Sequence, residues 1–496
     1  MAQRTREIQL QAGKETEPLT SWGGVLPLLA LYRKTGIAAA VDRTLGLRPE
    51  QGYPDSFMIG SLMLLSWCGY DAPEQIRFLE GDTGLAQLLR ERRDFGTERF
   101  RRETGRTFPS ATAIRTYLHE FTYEGSRVAG AKTVIPVPGQ ELRCMEALNG
   151  KLLSLSKETV ATLDQDVTYI ETARSEEARY SYKGERSVEA FVSLWSEADL
   201  VVDIQVRSGN VSPKSDQLAR LKESLSRLPE SVKKVSLRSD SAGYQEEVLR
   251  YCAEGRNERF GVIEFAISCP VWKEFHREAI RLPEEAWKVV EGTTDREYAE
   301  VPFVPDSLGT SASGPDYRYI ALRRKLADAE RLKEKAVEMQ GQRYLFDDTE
   351  LSRLHATEFP GGTYAIFGLV TNRTGMDGSE LVHWHDARCG KGEQIHDDLK
   401  NGLGMGHVTS VELGSYAAWV WIQAFAYNLC SIFRHRYLRG AAARHRPTGL
   451  RNALFAIAGR VIRHAGKIIV RLSGGHPYVK LLTEAFSKIR NLVPAT

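Results

Sequence analysis

The chain has 496 residues, enough for about two to four domains. With 42% hydrophobic and 26% charged residues it has an ordinary globular balance, and no apolar run reaches the ~18 residues of a membrane span. Its six cysteines are scattered with no Cys-x-x-Cys pair, which argues against a disulfide framework and for a reducing, cytoplasmic setting. The N-terminal residues, Met1 to Glu7, lack the apolar core of a signal peptide, so no membrane association is expected.

Residues 1–20 are polar and read as frayed. From Trp22 to about Leu89 the apolar residues recur at helical spacing, as in Val25, Leu28, Leu29 and Tyr32, then Ile59, Leu62, Met63 and Trp67. Between Arg90 and Arg106 stand seven arginines interleaved with acids, a solvated segment or a DNA-facing loop. Ser110 is placed to cap a helix running to Phe121. Glycine and proline density over 124–150 reads as a linker.

From residue 160 the period changes to two. Strands are expected at 161–171, 188–196 and 200–207, the last two joined by a short turn at Glu197-Ala198-Asp199. A helix is expected around Gln217–Leu228, a strand at 234–240, a helix at 244–253 and a strand at 261–268. This β-β-β-α-β-α-β succession is that of a ribonuclease H-like mixed sheet with helices on both faces. Residues from about 270 to 360 break the pattern and read as an insertion, after which a strand at 363–371 resumes the fold. The apolar, aromatic run 414–433 reads as a buried helix. From Ser431 onward there are thirteen Lys/Arg against one acid, 13 − 1 = +12, although the whole chain carries only +3. Such a local excess points to a polyanion. The expected organisation is therefore a helical N-terminal DNA-binding domain with linker (1–155), a ribonuclease H-like α/β catalytic domain (156–413), and a basic helical region for DNA contact or dimerisation (414–496).

Alternation along the first strand places Asp164, Asp166 and Thr168 on one face. Aspartate is poor in strands, so two on one face call for a reason. A second strand ends on Asp240, and a third acid, Glu393, lies in a helical run before Lys400. Three carboxylates from separate elements suit a pair of hard divalent cations engaged in phosphoryl transfer. Asp166 and Asp240 are expected on adjacent strands.

These residues carry a resemblance. Asp166-Val167-Thr168, Arg207-Ser208-Gly209-Asn210, Arg238-Ser239-Asp240 with Gly243-Tyr244, and Glu393-x₆-Lys400 resemble, in order and spacing, the motifs of bacterial insertion-sequence transposases of the cut-and-paste DDE superfamily. The match is to the group with a β-rich insertion and a Tyr-Arg-Glu-Lys signature. Ala426-Tyr427-Asn428-Leu429 adds to it. The signature departs upstream: Arg388 precedes Glu393 by one residue more than the pattern, and His385 or Trp384 stands in place of tyrosine. The resemblance implies that Asp166, Asp240 and Glu393 are catalytic and hold Mg²⁺, with Mn²⁺ able to substitute. It implies that Arg388, Lys391, Lys400, Arg207 and Arg238 grip double-stranded DNA at inverted-repeat ends, in a homodimeric complex. Asp164 matches no motif, so Asp164→Asn is expected to leave activity. Alternative readings are an inactive transposase-derived DNA-binding protein and a structure-specific nuclease on the same fold. Zinc at His383, His385, Cys389 and His396 fits no common ligand spacing. Trp272 and Trp287 read as core or hairpin bracing in preference to stacking on a flipped base.

Overall fold

The computed structural model describes residues 17–47, 52–91, 105–128, 134–181, 183–308, 317–326 and 356–492. After the two-residue strand β1 (Leu19–Thr20), the chain forms helices α1 (Leu26–Lys34), α2 (Ile37–Leu45) and α3 (Asp55–Trp67). Every residue of α3 but Ser56 is buried, so it is a core helix with almost no solvent face. Helices α4 (Ile76–Gly81), α5 (Thr83–Glu91) and α6 (Ala111–Leu118) follow. The Ser110 hydroxyl accepts a hydrogen bond from the Ala113 N–H at 3.1 Å, the cap expected from the sequence. Most of the arginine-rich stretch lies outside the described residues.

The stretch read as a linker is structured. Strands β2 (Tyr123–Val128) and β3 (Val134–Pro138) pair as a hairpin, and helix α7 (Gln140–Leu153) follows. Its Leu142, Met145, Leu148 and Leu152 form a buried stripe that glycine and proline density concealed.

The central sheet has eleven strands. In chain order they begin with β4 (Val160–Glu171), β5 (Arg179–Tyr180), β6 (Arg186–Trp195) and β7 (Leu200–Ser208). Helix α8 (Gln217–Arg227), strand β8 (Lys234–Ser239), helix α9 (Glu246–Ala253) and strand β9 (Glu264–Cys269) complete the expected β-β-β-α-β-α-β succession, with the two-residue β5 added to it. β6 runs antiparallel to both β4 and β7, while β4, β8 and β9 are parallel neighbours. The spatial order is β7-β6-β4-β8-β9, with β4 in the middle.

The region from about 270 to 360 contributes helix α10 (Lys273–Arg281) and strands β10 (Lys288–Val289), β11 (Arg296–Val301), β12 (Arg318–Lys325) and β13 (Ala356–Phe359). With β14 (Gly362–Thr371) they widen the same sheet, because β14 pairs antiparallel with β9 and β12 with β14. The part of the charged run beyond Leu326 lies outside the described residues. Trp287 is buried, with the Arg323 guanidinium 4.4 Å from its ring centre. Trp272 packs edge-on to Tyr244. Both tryptophans brace the sheet.

Helix α11 (Gly378–Asp397) lies across the face that carries Asp164, and continues into a π turn, Asp398–Gly402. Helix α12 (Leu413–Tyr437) is buried from Leu413 to Phe433, as its composition implied. It also closes the free edge of β7. The Asn428 carboxamide accepts from the Val201 N–H (2.8 Å) and donates to the Val201 carbonyl (2.9 Å). Asn149 of α7 donates to the Val201 and Val202 carbonyls. An edge that would otherwise template aggregation is thereby satisfied by side chains. One apolar cluster runs through α1, α3, α7, the sheet and α12. The chain ends with α13 (Pro447–Leu450), a hairpin of β15 (Gly459–His464) and β16 (Lys467–Leu472), and α14 (Val479–Arg490). This region was expected to be wholly helical. The hairpin's alternating Val461, Ile468 and Val470 were masked by the surrounding cations. Among the described residues no single helix is long and apolar enough to cross a membrane.

Candidate active site

The parallel register between β4 and β8 pairs Asp164 with Arg238 and Gln165 with Ser239. Asp166 and Asp240 come next in the chain, Asp166 within β4, five residues before its end, and Asp240 just beyond the last residue of β8. Asp164 and Arg238 share a face, since they form an ion pair; two residues further along, Asp166 and Asp240 return to it. Asp240 keeps extended backbone (φ −73°, ψ −168°) before the chain turns, and its carboxylate accepts from the Ala242 N–H at 2.9 Å. The Asp166 carboxylate accepts from the Val167 N–H at 2.9 Å. Both residues are half-buried.

Helix α11 covers this end of the sheet. Arg388, Gly392 and His396 follow at intervals of four, on one helical face. Arg388 Nη1 lies 3.6 Å, and His396 Nε2 3.4 Å, from Asp166 Oδ2. A methyl group on Gly392 would stand 3.6 Å from the same oxygen. Burial pushes the Asp166 carboxyl up, but His396, Arg388 and the Val167 N–H outweigh it and hold the group below the usual carboxylate range. Asp166 is therefore ionised, as a metal ligand must be. His396 was considered in the sequence only for zinc. Its place beside Asp166 was readable from its four-residue spacing to Gly392.

Glu393 is exposed on α11, about 100° round the helix from Gly392. No group of three or more His, Cys, Asp and Glu side chains among the described residues is close enough to hold a metal ion. Asp166 and Asp240 offer oxygen donors of the kind a hard divalent cation takes. The third expected acid does not join them in this arrangement.

The expected DNA-binding residues divide. Arg388 is buried beside Asp166. Lys391 is exposed, its ammonium donating to the Ser196 carbonyl at 2.7 Å. Lys400, in the π turn, donates to the Tyr169 carbonyl at 2.5 Å. Arg207 and Arg238 are placed otherwise than expected. Arg207 is 0% exposed and paired with Glu189 at 2.5 Å on a sheet interior. Arg238 is 4% exposed and sends Nε and Nη2 to the two Asp164 oxygens, each at 2.7 Å. Its remaining hydrogens reach the Trp384 carbonyl (2.6 Å) and the Ser196 hydroxyl (3.0 Å). Neither guanidinium is free for phosphate: each serves as counter-ion to a buried acid. Trp384, one of the two residues that could stand in place of the expected tyrosine, lies between two guanidinium groups, with Arg373 3.9 Å and Arg238 5.2 Å from its ring centre. His385 is buried against the Ser239 carbonyl, and His383 meets the Glu291 carbonyl.

Compared with known proteins, the chain matches the family described as transposase DDE domain group 1 over residues 2–494. No curated protein matches it in sequence. Among solved structures it is similar to a chain of a piggyBac transposase synaptic complex with hairpin DNA, seen by cryo-EM. The identity is 10%, the match covers 95% of this chain and 85% of that one, and the TM-score is 0.42.

Proposed function

Because the chain belongs to the group 1 family of DDE transposase domains, we propose that it cuts and joins DNA at the inverted-repeat ends of an insertion sequence. The sheet is read as ribonuclease H-like, and Asp166, Asp240 and Glu393 as its catalytic acids. The observation that supports this reading is the β4–β8 register, which runs to Gln165 and Ser239, the residues just before Asp166 and Asp240, with Arg388 of α11 3.6 Å from Asp166.

Asp166 and Asp240 are the residues that would hold Mg²⁺ or Mn²⁺. When bound, the metal supplies Lewis acidity for an attacking and a leaving phosphodiester oxygen. The chain's own residues do the rest. Arg388 and His396 keep Asp166 ionised, the α11 face limits water at the strand ends, and Lys391 and Lys400 offer ammonium groups to phosphate. Duplex DNA is the substrate, and a homodimer is the assembly that brings two ends together.

The test is cleavage of a labelled element end with and without Mg²⁺, beside a gel shift on the same DNA. Asp166→Asn and Asp240→Asn are each expected to abolish cleavage and keep binding, since they remove charge needed by the metal and leave the cations that grip phosphate, and Glu393→Gln is expected to do the same as the third acid of the proposed set. Wild-type cleavage rates in all three would end the proposal. Loss confined to Asp166→Asn and Asp240→Asn would remove Glu393 from the catalytic set.

A further inference from the structure

Helix α11 carries one residue in excess of a regular α-helix. It is α-helical up to Asp397, and the surplus is taken up in the π turn Asp398–Gly402, whose hydrogen bonds span five residues where those of an α turn span four. Both ends of this stretch are held. Upstream, the Trp384 carbonyl accepts from Arg238 at 2.6 Å and Asp386 pairs with Arg296 at 2.5 Å. Downstream, the Gly402 carbonyl accepts from Arg451, and the Met405 N–H bonds the Leu399 carbonyl at 2.8 Å. Between the two lie Gly390 and Gly392, both within the helix. A Cβ at Gly390 would meet nothing within 4 Å, so close packing does not call for glycine there. Glycine inside a helix costs about 0.5–1 kcal/mol relative to alanine, so two within three residues make this the place where α11 opens most easily.

The same surplus fits between Arg388 and Glu393. Those residues are five apart, the span of one π turn, as Arg388 and Gly392 are one α turn apart. With the π turn there, Glu393 stands where Gly392 stands now, facing Asp166 Oδ2. Each following residue moves back one helical position, and the chain rejoins its present course at Gly402. Asp397 then takes the place of His396. Asp398 takes the place of Asp397, and Arg446, which meets both carboxylates in the present register, keeps a partner. Ile395 takes the place of Gln394, beside a cleft of about 200 Å³ that Tyr427 and Arg434 also line. His396 enters the buried place of Ile395, a cost that something else must offset.

The two registers offer Asp166 opposite charge. The present one offers Arg388 and His396. The other keeps Arg388 and brings up the carboxylates of Glu393 and Asp397. Carboxylates gathered at Asp166 repel one another while no cation lies among them. A divalent cation reverses the balance, because its preferred ligands are carboxylate oxygens. A ligand shifts a two-state equilibrium by its difference in affinity for the two states, and here that difference is one of charge. We infer that α11 has two registers and that a divalent cation selects the second, moving the π turn from 398–402 to the glycine-flanked stretch before Glu393 and carrying that acid to Asp166. This rests on the transposase reading of Asp166 and Asp240 as metal-holding acids.

The experiment measures Mn²⁺ binding to the full chain by electron paramagnetic resonance of the free ion, and amide hydrogen exchange along α11 by mass spectrometry with and without saturating Mn²⁺. In the wild-type chain Mn²⁺ is expected to slow exchange over 398–402 and to quicken it over 389–393, as the π turn moves. Glu393→Gln is expected to lose both changes and to weaken Mn²⁺ by roughly 10- to 100-fold, the range for losing a group that supports a metal site. Deleting Gly390 removes the surplus residue and holds Glu393 in the place of Gly392. That variant is expected to bind Mn²⁺ more tightly than wild type, and Glu393→Gln to abolish the gain. Thermal melting checks its folding, and the wild-type exchange measurement needs no variant. A wild-type chain that binds no Mn²⁺, or one whose affinity Asp166→Asn leaves unchanged, would overturn the metal-site reading and the register shift with it. A chain that binds through Asp166 but whose affinity Glu393→Gln leaves unchanged, or whose exchange over 389–393 does not quicken, would overturn the register shift alone.

Discussion

Asp164 is the sharpest place to test the site's construction. The sequence offers no motif for it, and Asp164→Asn was expected to leave substantial activity. The structure gives it a different standing. Its carboxylate is 3% exposed and accepts two hydrogen bonds of 2.7 Å from Arg238, which is 4% exposed. Burial pushes the Asp164 carboxyl up, and the Arg238 ion pair only partly counters it. Removing the charge therefore leaves a guanidinium with no counter-ion in a buried setting, which costs about 3–5 kcal/mol. Against a typical total of about 5–15 kcal/mol, that is a large share. Arg238 also ties β8 to α11 through the Trp384 carbonyl, so its displacement loosens the helix that carries Arg388 and His396. Urea unfolding followed by tryptophan fluorescence should show a markedly lower midpoint for Asp164→Asn. Cleavage should fall with it. The double variant Asp164→Leu with Arg238→Met removes both charges and should recover at least half of the loss, because apolar replacement of a whole buried pair is often neutral. An Asp164→Asn variant with the wild-type midpoint would refute the reasoning.

Two further outcomes follow from the packing. Asp398, buried beside Arg446, has its carboxyl raised by burial to about 6 from 3.8, with Arg446 opposing. The folded state thus holds the proton more tightly than the unfolded chain. The contribution of Asp398 to stability is greatest below about pH 4, falls by about 3 kcal/mol between pH 4 and 6, and is level above. The midpoint difference between wild type and Asp398→Asn should change by that amount across the window; an identical difference at pH 4 and pH 7 would refute it. A methyl group on Gly24 would overlap the Leu454 carbonyl, a clash of backbone with nothing flexible to yield. Gly24→Ala should therefore fold poorly and melt well below wild type, and a wild-type melting temperature would show that the 23–25 and 451–455 turns can separate.

The sheet was legible in the sequence because its signals are local. Alternation over 160–208 and helical stripes such as Leu221 and Leu225 need no knowledge of distant partners. The hairpin within 124–150, and the way the 270–360 insertion joins the main sheet, were not legible for one shared reason. Pro136, Pro138 and Gly139 mark the end of a hairpin as readily as a loop, and β11 and β12 look like separate strands until β14 joins them to β9. Which strands share a sheet is a long-range fact that no window of residues contains. The role of Asn428 was invisible for the same reason: its partners are more than two hundred residues away, on the edge of β7.

The site divides along the same line. That Asp166 lies on a strand two residues past Asp164, and Asp240 directly after another strand, was readable from alternation and from the end of β8. Arg207 and Arg238 were misassigned because a basic residue beside a catalytic motif reads the same whether it grips phosphate or neutralises a buried acid; exposure decides, and sequence does not display exposure. Glu393 shows how a spacing becomes a direction. On an α-helix each residue turns the side chain about 100°. Four residues past Arg388 is Gly392, whose added methyl would meet Asp166. The acid stands one residue later, so it points to solvent while Arg388 and His396 meet the aspartate. The extra residue between Arg388 and Glu393, noticed in the sequence as a departure from a motif, is thus the physical reason that a guanidinium and an imidazole, not a third carboxylate, face Asp166 here.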